Sequence, residues 1–286
     1  MKNLHDLIRY TKDTLAPVYN PEEANSLAWQ LIEHELGWNR LQISLRKHEV
    51  IGPQIWQKFT GYVNRLLQHE PLQYITGVAH FYGLELLVTQ VVLIPRPETE
   101  ELVQLIIREH QYTPHVTILD AGTGSGCIPV ALSVNLPQAT VYGLDISTAA
   151  LAVAQANGRK YQQSIQWLQH DIFTDPWPLP LQSLDVLVSN PPYVLESEKT
   201  LMRRNVLDFE PHLALFVPDN NALLYYIRIA EVAQQVLKPA GRLYFEINEQ
   251  YGPALVETLT NQGFRKPQIM KDLFGKDRLV TAAWAG

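Results

Sequence analysis

Between Val116 and Gly126 the chain writes an apolar run, Val116-Thr117-Ile118-Leu119-Asp120, then Ala121-Gly122-Thr123-Gly124-Ser125-Gly126, then helical residues from Cys127 through Leu132. A short, β-branched run that stops at glycines reads as a buried strand. A strand, a glycine loop and a helix in direct succession leave few folds open. Such a unit brings backbone N–H groups and a helix N-terminus to the carboxyl end of a strand, which is where an open parallel α/β sheet holds its ligand. The glycine spacing is G-x-G-x-G. A dinucleotide site asks for G-x-G-x-x-G, and Cys127 stands where its third glycine would be. The Gly-Lys-Ser/Thr of a P-loop is missing. A nucleoside without phosphates that carries an amino-acid tail remains, and S-adenosylmethionine is such a molecule. Gly122, Thr123, Gly124, Ser125 and Gly126 are its expected cradle.

Three further strand ends follow in order. Thr140-Val141-Tyr142-Gly143-Leu144-Asp145 places an acid about twenty residues past the loop, where a carboxylate accepts both ribose hydroxyls. A helix cap ahead of Ser147-Thr148 is the plainer reading of Asp145. A short strand from Ile165 to Leu168 leads to Asp171-Ile172-Phe173, in which Asp171 suits the adenine amine and Ile172 its face; a turn acid is the plainer alternative. Leu184 to Ser189 then ends in Asn190-Pro191-Pro192-Tyr193. Prolines have no N–H and a fixed φ, and a residue before proline is held extended. The Asn190 amide and the Pro191 carbonyl are therefore two rigid acceptors aimed at one NH2 group, with Tyr193 as a flat face for a planar partner. A primary amide or the exocyclic amine of a base fits. An ordinary Asn-Pro turn explains the tetrapeptide alone, but four successive strand ends offering loop, ribose acid, adenine acid and amide clamp do not arise together by chance.

Around this unit the chain divides into a helical part, residues 1–70, a hairpin-like linker, 71–95, and the catalytic part, 96–286. Leu4 to about Gln68 is helical throughout: Asn20-Pro21-Glu22-Glu23 is a capped helix start, and Ile55, Trp56, Phe59, Tyr62, Val63, Leu66 and Leu67 form one apolar stripe. It carries no evident catalytic residue and reads as a partner-recognition module. Ile94-Pro95-Arg96-Pro97-Glu98-Thr99-Glu100 has the chemistry of a helix start, or sets Arg96 and two carboxylates beside a cationic cofactor. Residues 194–220 are mixed; Glu210-Pro211-His212 either folds over the pocket or is surface loop. A helix from Leu223 to Leu237, a strand from Gly241 to Ile247, a helix from Tyr251 to Gln262 and a strand from Leu279 to Trp284 complete the reading.

Composition narrows the partners. A net charge of −6 over 286 residues argues against a broad grip on a phosphate backbone. With Cys127 as the single cysteine there is neither an internal disulfide nor a cysteine zinc site, and the nine histidines show no metal spacing. Met1-Lys2-Asn3-Leu4-His5-Asp6 does not read as a signal peptide, and no apolar run approaches a bilayer span. A cytoplasmic protein without metal or membrane contact is expected.

The whole chain resembles the PrmC/HemK family, the glutamine N5-methyltransferases that act on peptide chain release factors. The resemblance rests on Pro71-Leu72-Gln73-Tyr74-Ile75-Thr76-Gly77, on Ile94 through Glu100, on Asp120 through Ile128 and on Asn190-Pro191-Pro192-Tyr193. The last motif is shared with adenine-N6 and some ribosomal RNA methyltransferases; the Arg-Pro-Glu-Thr-Glu segment behind a helical N-terminal module is more specific. The resemblance implies a class I, Rossmann-like methyltransferase fold, with a seven-stranded sheet whose last strand is antiparallel and a small N-terminal helical bundle. It implies S-adenosylmethionine as cofactor. It also implies action on the glutamine of the Gly-Gly-Gln motif in class 1 release factors. A monomer with no direct nucleic-acid contact is expected. Ile172 stands where some relatives carry an aromatic residue. Three other readings stay open: a nucleic-acid exocyclic-amine methyltransferase (adenine N6 or guanine N2), a non-catalytic adapter that binds S-adenosylmethionine, and, weakened by the loop spacing, a nicotinamide dehydrogenase.

Overall fold

The computed structural model describes residues 3–286. Its strands are β1 (Val78–Phe81), β2 (Leu84–Leu87), β3 (Thr117–Ala121), β4 (Thr140–Asp145), β5 (Gln166–Gln169), β6 (Leu184–Ser189), β7 (Val194–Leu195), β8 (Phe216–Val217), β9 (Leu237–Glu246), β10 (Arg265–Lys271) and β11 (Asp277–Ala283). Seven of them make one sheet in the order β10-β11-β9-β6-β3-β4-β5. β3, β4, β5, β6 and β9 run parallel, and β11 is antiparallel to both of its neighbours. This is the class I methyltransferase sheet, with its last strand reversed.

The parallel strands are apolar along most of their length because helices cover both faces. Leu119, Leu144, Leu187, Leu243 and Phe245 pack on one side with Tyr226, Ile229 and Ala233 of the helix Leu224–Val236. Ile118, Val141, Val186 and Val188 pack on the other with Leu102, Val103 and Ile106 of the helix Pro97–His110. From β3 the chain winds outward through β4 to β5, then crosses back to β6 on the other flank of β3. Strand order reverses between β3 and β6, and a crevice opens at the carboxyl ends of such a pair.

Two units are distinguishable. The first runs to Gly77 and includes Arg203–Phe209; the second holds the rest, from Val78. In the first unit the helix starts are built as the residues dictate. Asn20 accepts from the N–H of Glu23 with Pro21 at the first helical position, and Gly37 ends that helix in the left-handed conformation. Asn3 with Asp6 and Asn39 with Gln42 form reciprocal capping boxes. Leu4, Leu7, Leu31, Ile32, Phe59, Val63 and Leu66 close its own core. Arg203, Arg204 and Asn205 share a polar cavity of this unit with Tyr19, His69 and Gln73.

The units differ from the segments read in the sequence at three places. The helix Leu72–Thr76 lies in the first unit, the hairpin β1–β2 in the second, and Arg203–Phe209 returns to the first. One buried side chain, with bonds from Tyr161, Lys160 and Glu100 around it, joins the hairpin to the second unit. Asn157, on the helix Thr148–Lys160, accepts from Leu87 N–H at 2.7 Å and donates to the carbonyls of Leu87 and Ser125, each at 2.9 Å. It ties β2 to the glycine loop. The sequence reading also lacks β10, whose Arg265-Lys266-Pro267-Gln268-Ile269-Met270-Lys271 has no apolar run. As an edge strand it keeps lysines and a proline where an inner strand would need apolar residues.

Asn157→Ala removes the partner of the buried Ser125 carbonyl and of the partly buried N–H and carbonyl of Leu87; a buried group left unpaired costs about 1–3 kcal/mol, a partly exposed one less. Urea unfolding of the purified variant is expected to show a loss of about 1–3 kcal/mol. A loss within about 0.5 kcal/mol, the range of an ordinary surface change, would contradict this role.

Candidate active site

Four strand ends converge on one cleft, whose space, counted together with solvent at its open mouth, is about 1050 Å³. β3 contributes Ala121, Gly122 and Gly124; β4 contributes Leu144 and Asp145, followed by Ile146 and Ser147. His170, Asp171, Ile172 and Phe173 follow β5, and Ser189, Asn190, Pro191 and Pro192 end β6. Val91, Val92 and Leu93 form one wall; Pro211, Leu213, Ala214, Tyr225 and Ile229 close the other.

The glycine loop is held from β4. The N–H groups of Gly122 and Thr123 both donate to the Leu144 carbonyl, at 2.8 and 2.9 Å. Gly122 and Gly124 have φ of +78° and +53°, a region that side-chain-bearing residues rarely adopt, and a Cβ on either would point into open space. Gly126 differs: a Cβ there would lie 2.9 Å from both Ala154 and Trp167, so this glycine serves helix–sheet packing. Thr123, Ser125 and Gly126 do not line the cleft; the first two are buried beneath it.

Asp145 is not the cap of the next helix. Ser147 is, accepting from Ala150 N–H at 3.1 Å. Asp145 instead accepts from the N–H groups of Gly124 at 2.8 Å and Ser147 at 2.9 Å. Burial pushes its carboxyl above the usual carboxylate range, opposed by those donors. Asp171 lines the cleft, yet its oxygens serve its own turn, accepting from Phe173 N–H at 2.9 Å and from the Thr174 hydroxyl at 3.0 Å. Ile172 gives an apolar wall, and Arg228 fixes its carbonyl at 2.7 Å. The aromatic surface comes from Phe173, edge-on to Tyr225 with ring centres 5.3 Å apart.

Asn190, Pro191 and Pro192 line the cleft, and Tyr193 does not. Its hydroxyl donates to Glu246 Oε1 at 3.2 Å, and its ring packs on the larger core. Ser189 Oγ donates to the Ala121 carbonyl at 2.6 Å and fixes the spacing of the β6 and β3 ends. Asn190 Nδ2 donates to Thr99 Oγ1 at 3.3 Å, and Thr99 Oγ1 donates to Glu246 Oε2 at 2.6 Å. Arg96 pairs with buried Glu210 at 2.7 Å, and the other Glu210 oxygen accepts from Ile94 N–H at 3.2 Å. That pair anchors the residues just before Pro211, so this segment does wall the cleft. Arg96, Glu98 and Glu100 themselves do not line it, and Glu100 accepts from Tyr82 N–H at 2.9 Å.

Sequence reasoning gave no individual role to Asp120, Thr99, Glu246, Asn157 or Tyr225, and read Glu210 only as part of a segment that folds over the pocket or lies on the surface. Two of these had a signal: Asp120 and Glu246 are acids closing otherwise apolar strands, and buried acids need a reason. Both oxygens of Asp120 are buried and have no partner at good hydrogen-bond geometry, as is true of the hydroxyls of Thr123 and Ser125. Burial pushes the Asp120 carboxyl up to about 7, against the pull of the adjacent Thr123 hydroxyl and with a smaller push from the negative Asp145. A loop flanked by two such acids is hostile to a pyrophosphate and suited to a cation. The residues therefore fit a ligand with an ammonium and a sulfonium, as S-adenosylmethionine is. Among the described residues no group of acids, histidines and cysteine has the arrangement of a metal site.

Comparison with known proteins decides the kinship. The chain is 42% identical over 279 residues to the release factor glutamine methyltransferase of Bacteroides thetaiotaomicron, covering 98% of this chain and 99% of that one. The chain belongs to the release factor glutamine methyltransferase family. The Streptococcus pneumoniae member is 42% identical over 217 residues, 76% of each chain. Family models agree: a PrmC N-terminal domain matches residues 6–77 and a methyltransferase small domain residues 99–209. The first ends where the first unit of the fold ends. Among solved structures, the hMettl16 catalytic domain in complex with MAT2A 3'UTR hairpin 6 superposes with a TM-score of 0.57 at 18% identity, over 71% of this chain and 76% of that one. That likeness bears on the fold alone.

The acid beneath the loop has a measurable signature. Asp120 titrates near 7 when folded and near 4 when unfolded. Below pH of about 4 it is neutral in both states and costs nothing; as pH rises to about 7 the folded state alone must keep the proton, and stability is lost across that window. Because a tenfold change in proton affinity is worth about 1.4 kcal/mol, the loss is a few kcal/mol. Denaturation of wild type and Asp120→Asn without cofactor, at pH 5 and pH 8, is expected to show Asp120→Asn gaining on wild type at the higher pH. A stability difference that does not change with pH would contradict it.

Proposed function

We propose that the protein transfers the methyl group of S-adenosylmethionine to the side-chain amide nitrogen, N5, of the glutamine in the Gly-Gly-Gln motif of class 1 release factors. Membership of the family supports the reaction and its substrate. The observation that carries the reading in this chain is the clamp at the end of β6: Asn190 spends its NH2 group on Thr99, which leaves Oδ1 as an acceptor, beside a Pro191 carbonyl that no neighbouring proline N–H can occupy.

The cofactor would be held by Gly122 and Gly124, by Asp145 at the ribose, and by Asp171 and Ile172 with Phe173 at the adenine, over a floor in which Asp120, Thr123 and Ser125 are buried. Asn190 borders it. When bound, it supplies an electrophilic methyl group. The residues of this chain supply orientation. An amide nitrogen is a weak nucleophile, since its lone pair is delocalised into the carbonyl. Asn190 Oδ1 and the Pro191 carbonyl accept the two amide N–H groups, hold the nitrogen in one direction and stabilise positive charge that develops on it. Pro192 keeps the corner rigid. Tyr193 completes the corner from behind, through Glu246. The amide proton is lost after transfer, so no strong base is needed at the clamp. The helical unit, with its own core and its own polar cavity, is the docking module for the release factor. The protein acts as a monomer in the cytoplasm, and no nucleic acid takes part. Among the described residues no helix is long and apolar enough to cross a membrane.

Incubation with purified release factor and S-adenosylmethionine, followed by mass spectrometry, is expected to place one methyl group on that glutamine. Asn190→Ala should lower turnover by about 10²–10³ while cofactor affinity, read by calorimetry, stays close to wild type. Methylation at the normal rate by that variant, or a methyl group mapped to another residue, would overturn the assignment.

A further inference from the structure

The segment Arg96 to Glu100 enters the fold beside the clamp, and its one buried hydroxyl, Thr99, is 2% exposed. Thr99 sits in the first turn of the helix Pro97–His110, and Glu246 closes β9 with 1% exposure. β6 and β9 are parallel neighbours with Ser189 opposite Phe245, so the ends that carry Asn190 and Glu246 lie at the same level of the sheet. A threonine hydroxyl has one proton to give. That proton is committed to the Glu246 carboxylate at 2.6 Å. What faces the hydroxyl from the other side, at 3.3 Å, must then be a donor. A carboxamide has only one donor atom, Nδ2. With Glu246 ionised, proton counting therefore puts Nδ2 and not Oδ1 of Asn190 against Thr99, an assignment that rests on this network. Glu246 is itself held: Tyr193 donates to its Oε1 at 3.2 Å and Tyr226 to its backbone carbonyl at 3.2 Å.

We propose that Thr99 and Glu246 are positioning residues that set the polarity of the Asn190 amide, turning Nδ2 away from the substrate and Oδ1 toward it. The inference rests on the proposed function, because an acceptor facing the cleft is useful only to a substrate that brings an N–H. With the amide reversed, Asn190 would present a donor to a donor and the clamp would lose one of its two acceptors. The support is one-directional: carboxylate, hydroxyl, amide, each spending its proton on the group before it. A rotamer preference alone does not give this, since the two ends of a carboxamide have nearly the same shape. The same chain gives Tyr193 a task outside the cleft, as the second donor that steadies Glu246. It also gives the threonine of the Arg-Pro-Glu-Thr-Glu segment a task that helix-start chemistry does not.

The test compares wild type, Thr99→Val and Thr99→Ser. Valine keeps the shape and removes the hydroxyl; serine keeps the hydroxyl and removes the methyl group. With release factor as substrate, Thr99→Val is expected to lose about ten- to a hundredfold in kcat, with S-adenosylmethionine affinity by calorimetry within about twofold of wild type. Thr99→Ser should recover to within a few-fold. Independently of turnover, the Asn190 side-chain N–H signals, assigned in the NMR spectrum by their loss in Asn190→Ala, should exchange slowly in wild type and Thr99→Ser, and fast in Thr99→Val. Unchanged kcat in Thr99→Val, a loss that serine does not repair, a parallel loss of cofactor affinity, or N–H signals that ignore the substitution would each overturn the inference while the proposed function stands. If Thr99→Val does not fold, Thr99→Ala takes its place with the same expectations. Wild-type enzyme that methylates no release factor glutamine would instead overturn the proposed function, and the inference with it.

Discussion

Everything at this site depends on acids buried at the carboxyl edge of a parallel sheet. Asp120 stands one residue before the end of β3 and Glu246 ends β9, and both are buried. Their surroundings differ. Glu246 collects hydroxyl donors from Thr99 and Tyr193, and burial still pushes its carboxyl above the usual range. Asp120 has only the Thr123 hydroxyl beside it, with no partner at good hydrogen-bond geometry for either oxygen. A buried carboxylate with donors is a fixed support; one without them destabilises the fold until something cationic arrives. The same edge thus holds a rigid half, around Asn190, and an unsatisfied half, beneath the glycine loop. In the proposed reading the first orients the acceptor amide and the second receives the cofactor.

Charge alone does not separate the proposed reading from its rivals. A dinucleotide would bring a pyrophosphate to a loop backed by Asp120 and Asp145, each with its carboxyl raised by burial. Asp145 alone would serve a dinucleotide's ribose equally well, so glycine spacing and kinship remain what weigh against a nicotinamide dehydrogenase. A base amine would fit the clamp as well as a glutamine does, since both offer an NH2 group. Kinship over nearly the whole chain, helical unit included, is what favours the protein substrate. An adapter without catalysis leaves the stiffness of the Asn190-Pro191-Pro192 corner and its supports without a purpose.

How much was legible beforehand follows from how each feature is written. The strands β3, β4 and β6 announce themselves because inner parallel strands must be apolar, and the residues after them were readable because strand ends are where ligands bind. Gly122, Gly124, Asp145, Ile172, Asn190 and Pro191 all line the cleft for that reason. β10 was hidden because an edge strand need not be apolar. Asn157 and Thr99 were hidden for another reason: they act across 70 and 147 residues, and no local pattern records such distances. Gly126 looked like part of the cradle because spacing cannot tell a glycine that faces a ligand from one that faces Trp167. Tyr193 was read as a face for the substrate, whereas its hydroxyl meets Glu246. The neighbouring aromatic surface is that of Phe173, one position beyond Ile172, which was read as an apolar face.

The central claim concerns where two lone pairs point, and a structure of the enzyme with S-adenosylhomocysteine and a peptide bearing Gly-Gly-Gln reads this directly. The account expects the glutamine NH2 within hydrogen-bonding distance of Asn190 Oδ1 and the Pro191 carbonyl, with Asn190 Nδ2 still on Thr99. A glutamine side chain bound elsewhere, or an Asn190 amide turned so that its oxygen meets Thr99, would contradict it.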